Sequence, residues 1–252
     1  MSRLEDITPY DHSRGKTEQV RVMFDSIAPV YDRLNRAMSL GQDERWRRRA
    51  VEMVAARNPG RIIDIATGTG DFAILLANVI VRAKVIGIDL SQGMIDIGSL
   101  KVDSIGLANR VTLIQGDCLN PPAVARDADA VTVAFGVRNF ADLAAGYRAM
   151  YDMLRPGGML CVLELSTPTN PLVVPFYNLY TRRIIPAMGR HVSKDSRAYS
   201  YLPESIAAVP RGDDMLALMR DAGFVNTRFK TFTLGVCSMY IGFRPEDVTP
   251  TQ

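Results

Sequence analysis

The sequence is poor in the residues that hold metals and build disulfides. It has two histidines, His12 and His191, and three cysteines, Cys118, Cys161 and Cys237, all far apart. An odd, scattered set of cysteines is no disulfide framework and fits a reducing compartment. No close Cys or His pair offers zinc-ligand spacing, so no metal is expected. So few histidines leave acid–base chemistry to carboxylates, tyrosine, arginine or water. Long apolar runs are missing as well. The run 159–165 is short and contains Glu164, far below the ~18–20 residues of a membrane-spanning helix. The first 16 residues are polar and mixed in charge, without the apolar core of a secretory signal. Charge of one sign is scarce: the net charge is +3, too small an excess to imply nucleic acid by itself. These absences predict a cytoplasmic protein, at most peripheral to a membrane.

What is present is ample core. Of 252 residues, 47% are hydrophobic and 23% charged, a balance that excludes wholesale disorder. Residues 1–16 read as a flexible tail and 17–252 as a single domain. Over 17–58, helical spacing places Val20, Met23, Phe24 and Ile27 on one face, then Tyr31, Leu34 and Met38, then Trp46, Ala50, Met53 and Val54. These helices are expected to form a cap, with Trp46 in the core rather than serving as a substrate platform. From Arg61 the pattern changes. Short buried strands are predicted over 62–66, 85–89, 111–114, 130–135 and 159–165. Helices are predicted over 72–80, 92–105 and 142–154, with a turn at Pro156-Gly157-Gly158. A last helix over 213–222 and strands over 225–232 and 236–243 follow. Alternating strands and helices predict a mostly parallel sheet covered on both faces. Residues 168–200, punctuated by Pro168, Pro171, Pro175 and Pro186, interrupt the alternation as an apolar, aromatic insertion.

Gly68-x-Gly70-x-x-Ala73 follows the first strand and opens a helix, and Asp89 ends the next strand about twenty residues on. Glycines admit close backbone approach to a ligand, and the acid can accept from ribose hydroxyls. A nicotinamide dinucleotide and S-adenosylmethionine share this geometry. Asp64, four residues before Gly68, favours the second, because an anion there gains nothing beside a pyrophosphate. No tyrosine has lysine four residues on, as short-chain dehydrogenases require. The run Asp64-Ile65-Ala66-Thr67-Gly68-Thr69-Gly70 resembles the first motif of class I methyltransferases. That resemblance implies a seven-stranded sheet with one antiparallel strand near its end. It implies S-adenosyl-L-methionine as cofactor, held by Asp64, Ala66, Gly68, Thr69, Gly70, Asp89, Leu90, Asp117, Cys118 and Ala134. Cys118 is then a wall of the adenine pocket rather than a nucleophile.

Asn120-Pro121-Pro122 lacks a following aromatic and precedes the fourth strand, so it reads as a turn and not as a nucleic-acid methyltransferase motif. After the fourth strand stands Phe135-Gly136-Val137-Arg138-Asn139. This block resembles that of the ubiquinone and menaquinone biosynthesis C-methyltransferases. So do Tyr31-Asp32-Arg33-Leu34-Asn35 with Ser39 and Trp46, and Leu154-Arg155-Pro156-Gly157-Gly158 with Leu163-Glu164-Leu165-Ser166. Further matches are Ser193-Lys194-Asp195, Tyr201-Leu202-Pro203-Glu204-Ser205 and Asp221-Ala222-Gly223-Phe224. The likeness runs from about 16 to 244. Asp43 departs from the histidine of many members but is similar to the menaquinone branch of Bacteroidota-like bacteria, as is Gly235-Val236-Cys237-Ser238-Met239-Tyr240.

The resemblance implies methyl transfer to a ring carbon of demethylmenaquinol, with a ubiquinone precursor or another small molecule as the alternative acceptor. A silent prenyl-lipid-binding subunit is the alternative outside enzymes. Arg138 is too basic for a conventional base, but a positive charge beside the phenol favours the phenolate. Arg138, Asn139 and Tyr31 could hold a water that takes the proton, and Asp32 could act as base or as partner of Arg138. The expected partners are a prenylated naphthoquinol and the membrane surface, with no nucleic acid and a homodimer left open. The insertion with Arg182, Arg183, Arg190, Lys194 and Arg197, and the run Arg45, Arg47, Arg48, Arg49, are the candidate lipid contacts.

Overall fold

The computed structural model describes residues 4–10, 14–185 and 197–247. Seven strands form one sheet: β1 (Arg61–Ile65), β2 (Lys84–Asp89), β3 (Val111–Gln115), β4 (Ala128–Ala134), β5 (Leu154–Leu165), β6 (Val225–Phe232) and β7 (Cys237–Phe243). Their order is β3-β2-β1-β4-β5-β7-β6. Strands β1 to β5 pair in parallel, and β7 lies antiparallel between β5 and β6.

Three helices precede β1: α1 (Lys16–Ile27), α2 (Tyr31–Met38) and α3 (Gln42–Ala55). The crossovers carry α4 (Asp71–Val79), α5 (Gln92–Ser104) and α6 (Leu143–Met153). Beyond β5 come α7 (Val174–Leu179), a π-helical turn (Tyr180–Ile184), α8 (Arg197–Ala208) and α9 (Asp213–Asp221). Local chemistry sets the starts. Ser91 Oγ accepts from Met94 N–H at 3.1 Å and Asp142 Oδ1 from Ala145 N–H at 2.8 Å, each an N-cap for orphan helix donors.

Alternation along the strands splits the core into two layers. Ile63, Ile65, Val131 and Val133 face Tyr147, Met150, Met215 and Met219 of α6 and α9. Ile62, Val85, Ala130 and Cys161 face Trp46, Val54, Phe72 and Leu76 of α3 and α4. The expected cap therefore divides. Helix α3 is a sheet-packing helix, whereas Met23, Ile27 and Leu34 of α1 and α2 pack with Met94 and Tyr201 above the strand ends. Strand order reverses between β1 and β4, so the turns that follow them diverge and leave a crevice at the carboxyl ends.

Three expectations are corrected. The expected tail is not loose throughout: Leu4 is in the core, and buried Lys16 Nζ donates to its carbonyl at 2.7 Å. Pro156-Gly157-Gly158 is not a turn before β5 but an irregularity inside it, where the register shifts between Ala128 and Ala130. The end of the 168–200 insertion is already helical, because α8 starts at Arg197 and runs through Pro203. His191 and Ser193-Lys194-Asp195 lie outside the described residues.

Candidate active site

The first cavity is built by two strained strand ends. Ala66 follows β1 with φ +52° and Phe135 follows β4 with φ +62°, the left-handed region that costs a non-glycine residue about 1–2 kcal/mol. The turns pack so closely that a Cβ on Gly136 would lie 2.5 Å from Ala66 Cβ. Asp64, 1% exposed, holds this geometry. It accepts from Thr67 Oγ1 and Thr132 Oγ1, both at 2.6 Å, tying the glycine loop to β4. Burial pushes its carboxyl up to about 6. Asp89, half-buried at the end of β2, accepts from Gly68 N–H at 2.7 Å and Ser91 N–H at 2.9 Å. Desolvation pushes it up to about 6 as well.

The resulting cavity, about 670 Å³, is lined by Tyr31, Ala66, Gly68, Asp89, Leu90, Asp117, Cys118 and Asn139 among the predicted residues. Val20, Phe24, Met94, Phe135, Gly136 and Phe140 are among its other walls. Asp64, Thr69, Gly70 and Ala134 do not line it. They act behind the wall: Gly70 starts α4 with φ +79°, and Thr69 Oγ1 donates to Asp32 Oδ1 at 2.5 Å. Cys118 is buried and desolvation pushes its thiol well up, so it is a neutral wall and no nucleophile.

The donor set fits S-adenosyl-L-methionine. Apolar walls suit an adenine, Asp89 can accept from ribose hydroxyls, and Asp117 stands next to Gly116 at the end of β3. The lining has two carboxylates and no lysine or arginine, which favours a cationic sulfonium and ammonium and opposes a pyrophosphate.

A second cleft, about 1310 Å³, shares Tyr31 and Phe135 with the first. Its walls are apolar and aromatic, from Trp46 and Met38 on the cap side to Phe176, Tyr177, Ile185 and Ile206 on the insertion side. Arg138 stands in it, 6% exposed, on the helical turn Val137–Asn139. Its Nη1 donates to Glu164 Oε1 at 2.7 Å and to the Phe135 carbonyl. Glu164, 1% exposed, also accepts from the backbone N–H groups of Arg138 and Leu165. The guanidinium charge is therefore compensated in place. Its buried Nε has no hydrogen-bond partner. Asn139 Oδ1 accepts from Tyr201 Oη at 3.1 Å. Burial pushes the hydroxyl of Tyr31 above the usual tyrosine value, so it stays protonated.

Asp32 is neither base nor partner of Arg138. It pairs with Lys101 Nζ at 2.8 Å, which also binds Asp71 at 2.6 Å, and it lines neither cavity. Lys101 on α5 reaches it first. The arginine run is not one surface either: Arg45, Arg48 and Arg49 are exposed, but Arg47 is buried in the second cleft. Arg190 and Lys194, and the side chain of Arg182, lie outside what is described. Sequence reasoning missed Glu164 as a site residue, although a carboxylate in an apolar buried strand is itself a signal. It also missed Lys16, whose Nζ reaches the Arg138 carbonyl at 3.4 Å and whose burial lowers it to about 8. No local pattern points to that contact.

The sheet order, the glycine turn after β1 and the acid ending β2 define the class I S-adenosylmethionine-dependent methyltransferase fold. Among solved structures, the [4+2]-cyclase SpnF matches with a TM-score of 0.65 at 16% identity, over 91% of this chain and 96% of that one. A methyltransferase from Thermotoga maritima matches with a TM-score of 0.63 at 18% identity, over 89% of this chain and 99% of that one. The chain belongs to the ubiE/COQ5 methyltransferase family, whose model matches residues 12–244. A demethylmenaquinone methyltransferase of Porphyromonas gingivalis is 44% identical over 245 residues, 97% of this chain and 100% of that protein. One from Bacteroides fragilis is 43% identical over 236 residues, 94% and 96% of the two chains. The ubiquinone/menaquinone biosynthesis C-methyltransferase UbiE of Syntrophotalea carbinolica is 41% identical over 227 residues, 90% and 94%. The protein is an S-adenosyl-L-methionine-dependent methyltransferase.

Proposed function

We propose that the chain methylates a ring carbon of demethylmenaquinol, giving menaquinol. One observation carries the reading: a large apolar cleft containing Arg138 adjoins the donor cavity through the shared residues Tyr31 and Phe135. The names of the relatives from Porphyromonas gingivalis and Bacteroides fragilis support the same acceptor.

When bound, S-adenosyl-L-methionine supplies a methyl group already activated by its sulfonium. The protein's task is to make a phenolic ring carbon nucleophilic and to aim it. The Arg138 guanidinium would donate to the oxygen beside the reacting carbon and favour the ionised form of a phenol whose ordinary pKa is about 10. Glu164 holds that donor fixed, so no reorganisation is needed as charge develops. Phe135, Trp46 and Tyr31 would confine the flat ring, and confinement in line with the donor can supply much of the rate. The phenolic proton would leave to water held between Tyr31 and Asn139. After transfer the methylated ring carbon would lose its own hydrogen to water, restoring the aromatic quinol with one proton released overall.

A prenyl tail needs an apolar exit. Leu40, Leu172, Phe176, Leu179 and Leu234 are exposed on segments that line the cleft or adjoin its lining residues. Such a rim suits contact with a bilayer surface, from which the acceptor would enter. No helix among the described residues is long and apolar enough to cross a membrane.

The test supplies methyl-labelled S-adenosylmethionine with a reduced demethylmenaquinone and, separately, a reduced benzoquinol precursor of ubiquinone. Label on the naphthoquinol ring carbon is expected. Transfer only to the benzoquinol, or a product methylated on oxygen, would overturn the acceptor.

A further inference from the structure

Among the described residues, two buried side-chain polar atoms lack a hydrogen-bond partner, Nε of Arg47 and Nε of Arg138. Both arginines line the same cleft. Buried donors left unpaired are rare and costly, and these two belong to side chains that line one cleft. The transfer chemistry above uses only Arg138.

The two sites are built alike. Each guanidinium is held by one carboxylate: Arg138 by Glu164 at 2.7 Å, Arg47 by Asp43 at 2.6 Å. Asp43 is fixed in turn by Ser39 Oγ at 2.6 Å, and Arg36 Nε lies 3.9 Å away. These partners hold its carboxyl below the usual range against its own burial, so the pair is ionised at neutral pH. The Asp43–Arg47 spacing of four residues on α3 makes this clamp local and rigid. Both arginines also meet Phe135. Arg138 Nη1 donates to its carbonyl, and the Arg47 guanidinium sits 5.4 Å from the centre of its ring. The cleft is thus lined by two anchored guanidinium groups that meet at one aromatic residue.

We propose that Arg47 binds the second oxygen of the acceptor, the one remote from the methylated carbon, while Arg138 takes the near one. This rests on the quinol reading above. A 1,4-quinol carries one oxygen at each end of its ring, and a pair of fixed donors would set both the position and the direction of the ring. The remote oxygen is not ortho to the methylated carbon, so Arg47 governs binding and orientation and leaves activation to Arg138. The arrangement selects para-oxygenated rings over monophenols of the same size.

The experiment is a cycle on protein and acceptor together. The native chain and Arg47→Met are each given the reduced demethylnaphthoquinol and the matching naphthol that lacks the remote hydroxyl. For the native chain, removing that hydroxyl should raise KM about tenfold to a hundredfold, the range for a charge-assisted hydrogen bond. Arg47→Met should raise KM for the quinol by a similar factor. It should show little further rise with the naphthol. Equal KM values for the two acceptors with the native chain would overturn the proposal. So would the same fold-rise in both proteins, because a merely structural Arg47 leaves that ratio untouched. If Arg47→Met does not fold, judged by cofactor binding, Arg47→Gln keeps a polar stem without the charge and should cut the naphthol penalty below that of the native chain, an unchanged penalty again overturning the proposal. The native chain shows which reading fails: methylation of neither acceptor sinks the quinol function, and with it this role.

Discussion

Glu164 Oε1 accepts from Arg138 Nη1 and from the Leu165 N–H, at 2.7 and 2.8 Å, at a position 1% exposed. A buried pair of this kind adds little net stability, but breaking it leaves an uncompensated charge. Glu164→Gln should therefore destabilise the fold by about 3–5 kcal/mol in urea unfolding, as well as misplacing Arg138. A loss below about 1 kcal/mol would show that the carboxylate does not hold the guanidinium. Asp64 and Asp89 are shifted in the same direction, and stability and cofactor affinity should respond with opposite sign. Both have folded values raised to about 6, above the usual 3.8. Between those values the folded chain binds more protons than the unfolded one, so stability falls as pH rises through this window. Going from pH 7 to pH 5 should thus stabilise the native chain by about 1 kcal/mol through Asp64, and Asp64→Asn should flatten that slope. Cofactor affinity should move the other way. Protonation of Asp89 removes an acceptor for ribose hydroxyls, so titration calorimetry should show weaker binding below about pH 6.

At the scale of elements, the glycine loop is seated on α5. A Cβ on Gly98 would lie 2.5 Å from Leu113 Cδ1 and 3.0 Å from the backbone C and O of Thr69. Gly98→Ala should therefore cost about 1–3 kcal/mol and weaken cofactor binding, because the backbone that must yield belongs to the loop. Unchanged thermal stability and affinity would contradict this seating. The same loop was the most legible part of the sequence: strand, glycines, helix and Asp89 all fall within one local stretch with strong periodicity. Helix α8 was not legible, because Pro203 in its interior reads as a breaker. Nor was the irregularity of β5, since Pro156-Gly157-Gly158 has the composition of a turn. Partnerships were least legible. Glu164 and Arg138 stand 26 positions apart and Lys101 and Asp32 69 positions apart, and only the strand order and the seating of α5 bring them together. Asp43 and Arg47 are the exception, four residues apart on one helix.

At the scale of the molecule, a donor cavity holding carboxylates and an apolar cleft holding arginines meet at Tyr31 and Phe135. The rim of the cleft makes a further prediction. Phe176→Asp should reduce flotation with anionic vesicles and raise KM for a long-tailed acceptor. It should leave turnover of a tail-less quinol unchanged, because Phe176 is exposed at the rim. Equal vesicle binding by both proteins would remove the membrane from the account.

The central claim is that this cavity pair activates a reduced ring for attack on a methyl group, with Arg138 as the activating donor. The most direct measurement is methyl incorporation from labelled S-adenosylmethionine into reduced and oxidised demethylmenaquinone, by the native chain and by Arg138→Met. The account predicts transfer to the reduced form only, with kcat falling at least about a hundredfold in the variant, as when an oxyanion donor is removed, while cofactor affinity is retained. Equal transfer to the oxidised form, or undiminished kcat in Arg138→Met, would contradict it.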